Sequence, residues 1–467
     1  MLVNRDLHLF VVLLLIIVAI YLRFNGLTLN SYWNDELATL WLTDPDNSFH
    51  FVFYGTLYDH TTPLYQILQW AWFHIFGFTE YAGRSLSALS GVGGVVAIYL
   101  LAKELYNRNV AIYALLISTF NYYLIYYSQE ARAYSLLFFL AALSTYFLVK
   151  VIRKYNRRFL HLYTLCSILL VQTHYYGVLL YFSHICFILT CIFYLKIADK
   201  KRIGLLLINI PITLVSLFPA IPYILHDAQK DSFWLSEPEP WFFADYLYDY
   251  SGGYIVLALF ASLLIYSTWF HIRKTCKYDR FNFYLFLIII TFIYIIPYLR
   301  SMVSVPMLHH RYTIAALPVI ILLVAHAIEL FHSQKTRIFL LAMCLAMSIA
   351  GLLVENQYYS RGTKQSFREI LTDINTKHEP VPVIACSSGV VNKYLKMLGI
   401  GMQTLNFSEF NSLIDNADIN RFWLMYHNNS QCNKIRDNRE ILVKKHRLEQ
   451  IASYEKKGVQ AYLYAKN

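Results

Sequence analysis

Apolar runs long enough to cross roughly 30 Å of hydrocarbon recur through the first three quarters of this 467-residue chain. They fall near 7–24, 84–104, 110–127, 132–151, 159–174, 177–196, 203–225, 253–272, 282–300, 311–331 and 337–354, which predicts eleven spanning helices. In lipid a backbone must satisfy its own polar groups, so runs of this length commit the chain to a helical bundle. Composition agrees: 15% of residues are charged, against about 25% in a soluble domain. Disorder, a collagen-like fibre and a small disulfide scaffold are excluded by the same numbers. The fold class is therefore a mainly α, polytopic membrane protein.

The net charge of +11 raises nucleic acid as a partner, and the position of the charges removes it. One alternate set of loops carries eighteen Lys and Arg, including Lys150, Arg153, Lys154, Arg157 and Arg158; the opposite set carries five. The positive-inside rule puts the basic loops and the N-terminus in the cytoplasm, and eleven crossings put the C-terminal part outside. The first apolar run lacks a small-residue cleavage site after it and reads as an uncleaved span. These features predict two domains, a transmembrane part over 1–355 and a periplasmic α/β domain over 356–467. In the latter, 366–376 and 390–398 read as helices, 381–386 and 421–426 as strands, and 451–454 with 459–464 as a hairpin about Lys457-Gly458. Five cysteines sit in or beside apolar runs as small fillers. Cys386 and Cys432 fall in the polar C-terminal part, where an oxidising compartment would allow a pair, but the sequence favours leaving them unpaired.

The cytoplasmic loops are short and merely basic, so chemistry is expected on the outer face. Its first long loop, 25–83, opens with Tyr32-Trp33-Asn34-Asp35-Glu36. Taken alone, the two carboxylates are a first-turn pair complementing a helix dipole; being adjacent, only one readily faces a shared cleft. Asp59-His60-Thr61-Thr62-Pro63-Leu64-Tyr65 reads as a turn opening an interfacial helix over 64–78. Ser128-Gln129-Glu130-Ala131-Arg132-Ala133-Tyr134 is a short outer hairpin whose charges sit at membrane depth. There they either pair with neighbours or hold a phosphate. Thr173-His174-Tyr175-Tyr176 is another tight outer turn of interface aromatics. His309-His310-Arg311-Tyr312 places a guanidinium, which matches phosphate oxygens bidentately, at an outer helix end.

The ordered set of these motifs, with Arg84-Ser85-Leu86-Ser87-Ala88-Leu89, resembles the bacterial GT-C membrane glycosyltransferases. The similarity is to those like the protein O-mannosyltransferases and the lipid A aminoarabinose transferases, and it runs from Trp33 to about Pro318. Where many relatives read His-Pro-Pro, this chain reads His60-Thr61-Thr62-Pro63. The resemblance implies an inverting transfer of a monosaccharide from a polyprenyl-phosphate, expected to be undecaprenyl-phosphate, to a hydroxyl of an envelope glycan, lipid or protein. It implies a multi-pass protein of the bacterial inner membrane, in contact with membrane lipids. A glycosidase needs two carboxylates because its leaving group must be protonated. A lipid phosphate leaves unaided, so one base and a set of cations suffice.

The resemblance carries the base onto Asp35, with Glu36 beside it as loop support or the reverse. Arg132 and Arg311 become the phosphate ligands, with His60 and His174 as secondary contacts. Glu130, Tyr134, Tyr65 and Arg84 are assigned to substrate positioning. No obligatory cofactor is implied; a divalent metal, which some relatives hold near this cleft, stays an accessory option. The rival classes are a polytopic transporter, a lipid-linked oligosaccharide ligase or polymerase, and a scaffold. A transporter should have a site at mid-membrane between repeated halves with broken helices, and no repeat is evident here. A scaffold should tolerate Asp35→Asn.

Overall fold

The structure is a computed structural model. It describes residues 5–59, 61–154, 156–197, 200–228, 235–273, 277–360, 362–407, 419–427, 432, 436 and 439–466. Among the described residues, eight helices are long and apolar enough to cross a membrane. They are Asp6–Phe24, Glu80–Leu105, Tyr134–Arg153, Tyr175–Phe193, Leu206–Asp227, Tyr254–Arg273, Arg280–Val303 and Gln334–Glu355. The other three expected spans fall on shorter or broken helices. Arg108–Phe120 and Tyr122–Ser128 meet at a 59° bend, and Thr313–Glu329 is short and apolar. Arg157–Val171 has only 15 residues.

The chain forms two compact units, each drawn from separate stretches. The first is Met1–Asn25, Phe53–Tyr65 and Ser85–Tyr358; the second is Gly26–Val52, Gln66–Arg84 and Tyr359–Asn467. The second unit thus takes in most of the first outer loop as well as the polar C-terminal part.

In the first unit, the bend after Phe120 has a local cause. Asn121 adopts an extended ψ of 119°, ending one helix, and its side chain accepts from Leu124 N–H to start the next. Its amide also donates to the Tyr250 carbonyl at 2.7 Å. The buried Arg23 donates to the carbonyls of Ser118 at 2.8 Å and Thr119 at 3.2 Å, satisfying acceptors that the broken helix leaves open. Near the start of Tyr254–Arg273, Glu355 accepts from the N–H groups of Tyr254 and Ile255, a carboxylate at a helix N-terminus.

The hairpin of Arg157–Val171 and Tyr175–Phe193 is closed by His174 and Gly177. His174 Nδ1 accepts from Tyr176 N–H at 3.1 Å, an N-cap. Gly177 lies so close to the preceding helix that an added Cβ would stand 2.2 Å from the Leu170 carbonyl oxygen. Backbone cannot swing aside as a side-chain tip can. Gly177→Ala is therefore expected to force the helices apart and cost about 1–3 kcal/mol, the range for overpacking. A thermal midpoint equal to wild type in detergent would contradict this.

In the second unit, Gly77 at φ +86° ends the helix Leu64–Phe76, and a new helix starts at Glu80. A five-stranded sheet has the order β2-β1-β3-β5-β4. The strands are β1 (Val383–Ala385), β2 (Thr404–Asn406), β3 (Arg421–His427), β4 (Leu448–Lys456) and β5 (Val459–Lys466). β1 pairs in parallel with β2 and β3, while β5 lies antiparallel between β3 and β4. Six of the seven β3 residues are buried, as a central strand covered on both faces requires. Helices Phe367–Lys377 and Ser388–Leu398 flank the sheet strands in sequence. Cys386 and Cys432 are bonded as a disulfide, with Cα atoms 5.5 Å apart. Asp44, fully buried, takes Lys393 and Lys396 at 2.8 Å each.

Candidate active site

In the second unit, Trp33 is the N-cap residue of helix Asn34–Thr43, so Asp35 and Glu36 occupy its first turn. The turn sends the two carboxylates to different surroundings. Asp35 is half-buried, whereas Glu36 is fully buried. Glu36 accepts from Arg84 Nε at 2.7 Å and Nη2 at 2.6 Å, a bidentate pair, and from Lys364 Nζ at 3.4 Å. Arg84 also donates to the carbonyls of Leu27 and Asn30 at 2.6 Å each and of Ser31 at 3.1 Å. A guanidinium has five N–H donors, and here all five are committed. Arg84 thus clamps the backbone of 27–31 to Glu36. Arg84 and Glu36 are thereby committed to a structural task, with the Glu36 oxygens serving two cations. Gln365 Oε1 accepts from Asn34 N–H at 3.0 Å, adding a C-terminal residue to the support of the turn that carries Asp35.

The first unit gathers the expected phosphate ligands. Arg132 Nη1 lies 2.9 Å from both carboxylate oxygens of Asp59, with little of either side chain exposed. The Arg132 carbonyl accepts from Ser87 Oγ at 3.1 Å, and Ser87 in turn lies 2.8 Å from the buried Tyr65 hydroxyl. Tyr65 therefore positions the Arg132 turn from beneath. Glu130 is fully buried, and its carbonyl accepts from Arg132 N–H at 2.8 Å. Arg311 stands 5.7 Å from the ring centroids of both Tyr134 and Tyr312, a distance at which a cation is attracted to the ring face.

His174 links the two arginines. Burial lowers its pKa first, and the charges of Arg132 and Arg311 lower it further, to about 3. The ring is neutral at any physiological pH. Since Nδ1 accepts from Tyr176 N–H, Nε2 carries the proton. The ring centroid is 4.9 Å from that of Tyr312 and 6.3 Å from that of Tyr134. Arg132, Arg311, His174, Tyr134 and Tyr312 thus form one cluster of two cations, an uncharged N–H donor and aromatic faces. Asp59 and Tyr312 were not singled out by sequence reasoning. Asp59 lies in a quoted motif, but nothing in the sequence pairs it with an arginine 73 positions away. His60 lies outside the described residues.

Among the described residues, one grouping of three His, Cys, Asp or Glu is close enough to hold an ion, Cys386, His427 and Cys432. Two of these are joined to each other as a disulfide. Thiols joined in a disulfide are not thiolate ligands, so this set does not fit a divalent metal.

Residues 59–226 match the family model described as dolichyl-phosphate-mannose-protein mannosyltransferase. A comparison with curated protein sequences gives no significant match. Among solved structures, ArnT from Cupriavidus metallidurans in the apo state aligns over 97% of this chain and 97% of its own, with TM-score 0.67 and 10% identity. The same protein bound to undecaprenyl phosphate aligns over the same shares, with TM-score 0.66 and 11% identity. The archaeal oligosaccharyltransferase AglB from Archaeoglobus fulgidus, in complex with an inhibitory peptide and a dolichol-phosphate, covers 99% of this chain and 74% of its own. Its TM-score is 0.58 and its identity 11%. At such identities the likeness is one of fold, and the fold is the GT-C bundle with a small C-terminal sheet domain.

Proposed function

We propose that this chain, a membrane glycosyltransferase of the GT-C class by its fold and its mannosyltransferase-family segment, moves a monosaccharide from undecaprenyl phosphate to a hydroxyl of an envelope acceptor. The observation that carries the reading is the cluster of Arg132, Arg311 and His174 at outer turns of the first unit. Two fixed cations and a neutral N–H donor suit a phosphate whose charge grows as the glycosidic bond breaks. Undecaprenyl phosphate bound to ArnT and dolichol phosphate bound to AglB support a lipid phosphate as the carrier.

In this reading the acceptor oxygen attacks C1 of the sugar as its proton passes to a carboxylate base, the role the resemblance gives to Asp35. The C1–O bond to the phosphate breaks on the opposite face, and the configuration inverts. The electron pair stays with the phosphate, where Arg311 and the His174 Nε2–H receive it. Arg132 is already shared with Asp59, so it orients the site and contributes part of its charge. The positive-inside distribution supports an N-terminus in the cytoplasm of a bacterial inner membrane and transfer on the periplasmic face.

The test uses purified protein in nanodiscs and a panel of undecaprenyl-phosphate monosaccharides carrying a radiolabel in the sugar. Wild type should transfer label to extracted envelope lipids, glycans or proteins with release of undecaprenyl phosphate. Arg311→Ala should slow transfer by about 10²-fold, the scale for loss of one charge-stabilising donor, and Arg311→Lys by less. Absence of transfer from every donor, or equal rates in Arg311→Ala and wild type, would sink the reading.

A further inference from the structure

The reaction above leaves one group of titratable side chains in the first unit without a task. Asp249 sits near the end of the outer helix Phe242–Ser251, and its Oδ2 lies 3.1 Å from His310 Nδ1. Both side chains are about one-third exposed, at 34% and 29%. Their surroundings are otherwise aromatic. The His310 ring centroid is 5.9 Å from that of Tyr246, 6.1 Å from Tyr123 and 6.4 Å from Tyr127. Tyr246 is three residues before Asp249 on the same helix, a spacing that puts both on one face. Tyr123 and Tyr127 are fully buried, so they form the floor, while Tyr246 is half-buried and available as a wall.

The arrangement is rigid. The His310 carbonyl accepts from Tyr123 Oη at 2.8 Å and from Thr313 Oγ1 at 2.8 Å. Tyr250, one residue beyond Asp249, receives a hydrogen bond from Tyr294 Oη at 3.0 Å. Burial and the neighbouring Asp245 raise the Asp249 pKa to about 6, while burial and Arg311 lower that of His310 to about 4. At neutral pH the pair is a carboxylate beside an uncharged imidazole whose one N–H, on Nδ1, faces Asp249 Oδ2, so that Nε2 is an acceptor.

Two acceptors, one of them charged, and aromatic walls suit a sugar ring. Adjacent hydroxyls donate to the carboxylate and to the imidazole Nε2, and the C–H face of the ring packs on tyrosine. His310 also directly precedes Arg311, whose charge is close enough to lower the His310 pKa. In a sugar phosphate the ring is likewise the next group along from the phosphate. Resting on the function proposed above, we infer that Asp249, His310 and Tyr246 are the subsite that recognises the sugar of the lipid-linked donor, beside the phosphate contact at Arg311. They bind hydroxyls rather than the reacting atoms, and so act as specificity-determining residues.

The experiment separates the sugar from the lipid phosphate. Full-length protein in nanodiscs is titrated with undecaprenyl phosphate and with undecaprenyl phosphate bearing mannose, glucose, galactose or N-acetylglucosamine. Wild type should bind at least one glycosylated lipid more tightly than the bare lipid phosphate. Asp249→Asn and His310→Gln should weaken that glycosylated lipid by about 10- to 100-fold, the scale for hydrogen bonds to a charged group. Both should leave undecaprenyl phosphate within about twofold. Tyr246→Phe, which keeps the ring face, should bind the sugar better than Tyr246→Ala. Equal weakening of bare and glycosylated lipid would make these residues part of the fold or the phosphate site and overturn the inference. So would unchanged binding of both, or a wild type that gains nothing from any of the four sugars. Failure of the broader reading looks different: wild type then binds no undecaprenyl phosphate at all and transfers no label.

Discussion

Asp35→Asn is expected to slow sugar transfer by about 10³-fold, within the range contributed by a positioned general base, with the protein still folded and still binding donor. Asparagine reproduces the shape of aspartate and keeps a carbonyl oxygen in place, but it cannot take up the acceptor's proton. Asp35 is half-buried in the first turn of Asn34–Thr43, and the Glu36–Arg84 clamp that holds this turn does not use its carboxylate. The substitution keeps the side chain's size and hydrogen-bonding capacity, so unfolding free energy should stay within about 1 kcal/mol of wild type. The decisive measurement is radiolabel transferred by the two purified proteins from the same undecaprenyl-phosphate sugar, with donor affinity read alongside. Equal transfer would remove Asp35 as the base. It would move the role to Glu130, because the Glu36 oxygens are taken by Arg84 and Lys364.

What the sequence made legible follows from the range of the interactions involved. The spans could be placed because each is a local run of apolar residues, and the eight long helices lie where those runs predict them. The break at Asn121 was invisible within the run 110–127. It depends on one polar side chain reaching the Tyr250 carbonyl 129 positions away. In the C-terminal part the helices Phe367–Lys377 and Ser388–Leu398 and four of the strands were legible from apolar blocks and the Lys457-Gly458 turn, whereas the helix Arg439–Lys445 was not. β2 was not, because three residues, Thr404–Asn406, carry no period. Nothing in composition indicates that Gly26–Val52 and Gln66–Arg84 join the C-terminal residues in one compact unit. That association rests on individual pairs such as Glu36 with Lys364, Asp44 with Lys393, and Glu80 with Arg368 and Tyr394.

The candidate site divides in the same way. The clusters could be found by residue type and by their common place at outer helix ends. Their division of labour could not, because a carboxylate's task is set by its partners. Asp35 and Glu36 are indistinguishable as neighbours in sequence, and only the fold commits Glu36 to a buried arginine 48 positions away. The sequence leaves Arg132 either paired with a neighbour or holding a phosphate, and only the fold supplies the partner, Asp59. Tyr312 belongs to the motif at Arg311 that carries the resemblance, but its residue type assigned it no role. Its role beside His174 and Arg311 comes from ring distances alone.

The Glu36–Arg84 clamp should give the opposite phenotype to Asp35. Glu36→Ala leaves a fully buried guanidinium without its carboxylate, and Arg84→Ala leaves a buried carboxylate without its guanidinium. Removing one partner of a buried pair typically costs about 3–5 kcal/mol. Arg84→Ala also strands the carbonyls of Leu27, Asn30 and Ser31, each a further loss when a buried acceptor goes unmade. Arg84→Lys should rescue little. A single ammonium has three donors on a flexible stem and cannot reproduce a planar five-donor fork. Glu36→Gln should fall between wild type and Glu36→Ala, since it keeps one acceptor oxygen while losing the charge. Thermal midpoints of the four variants in one detergent order them directly. Transfer measured on the fraction that remains folded should stay close to wild type per molecule. If Glu36→Gln instead kept wild-type stability and lost transfer, as expected here of Asp35→Asn, then Glu36 would be part of the chemistry and the clamp a secondary feature.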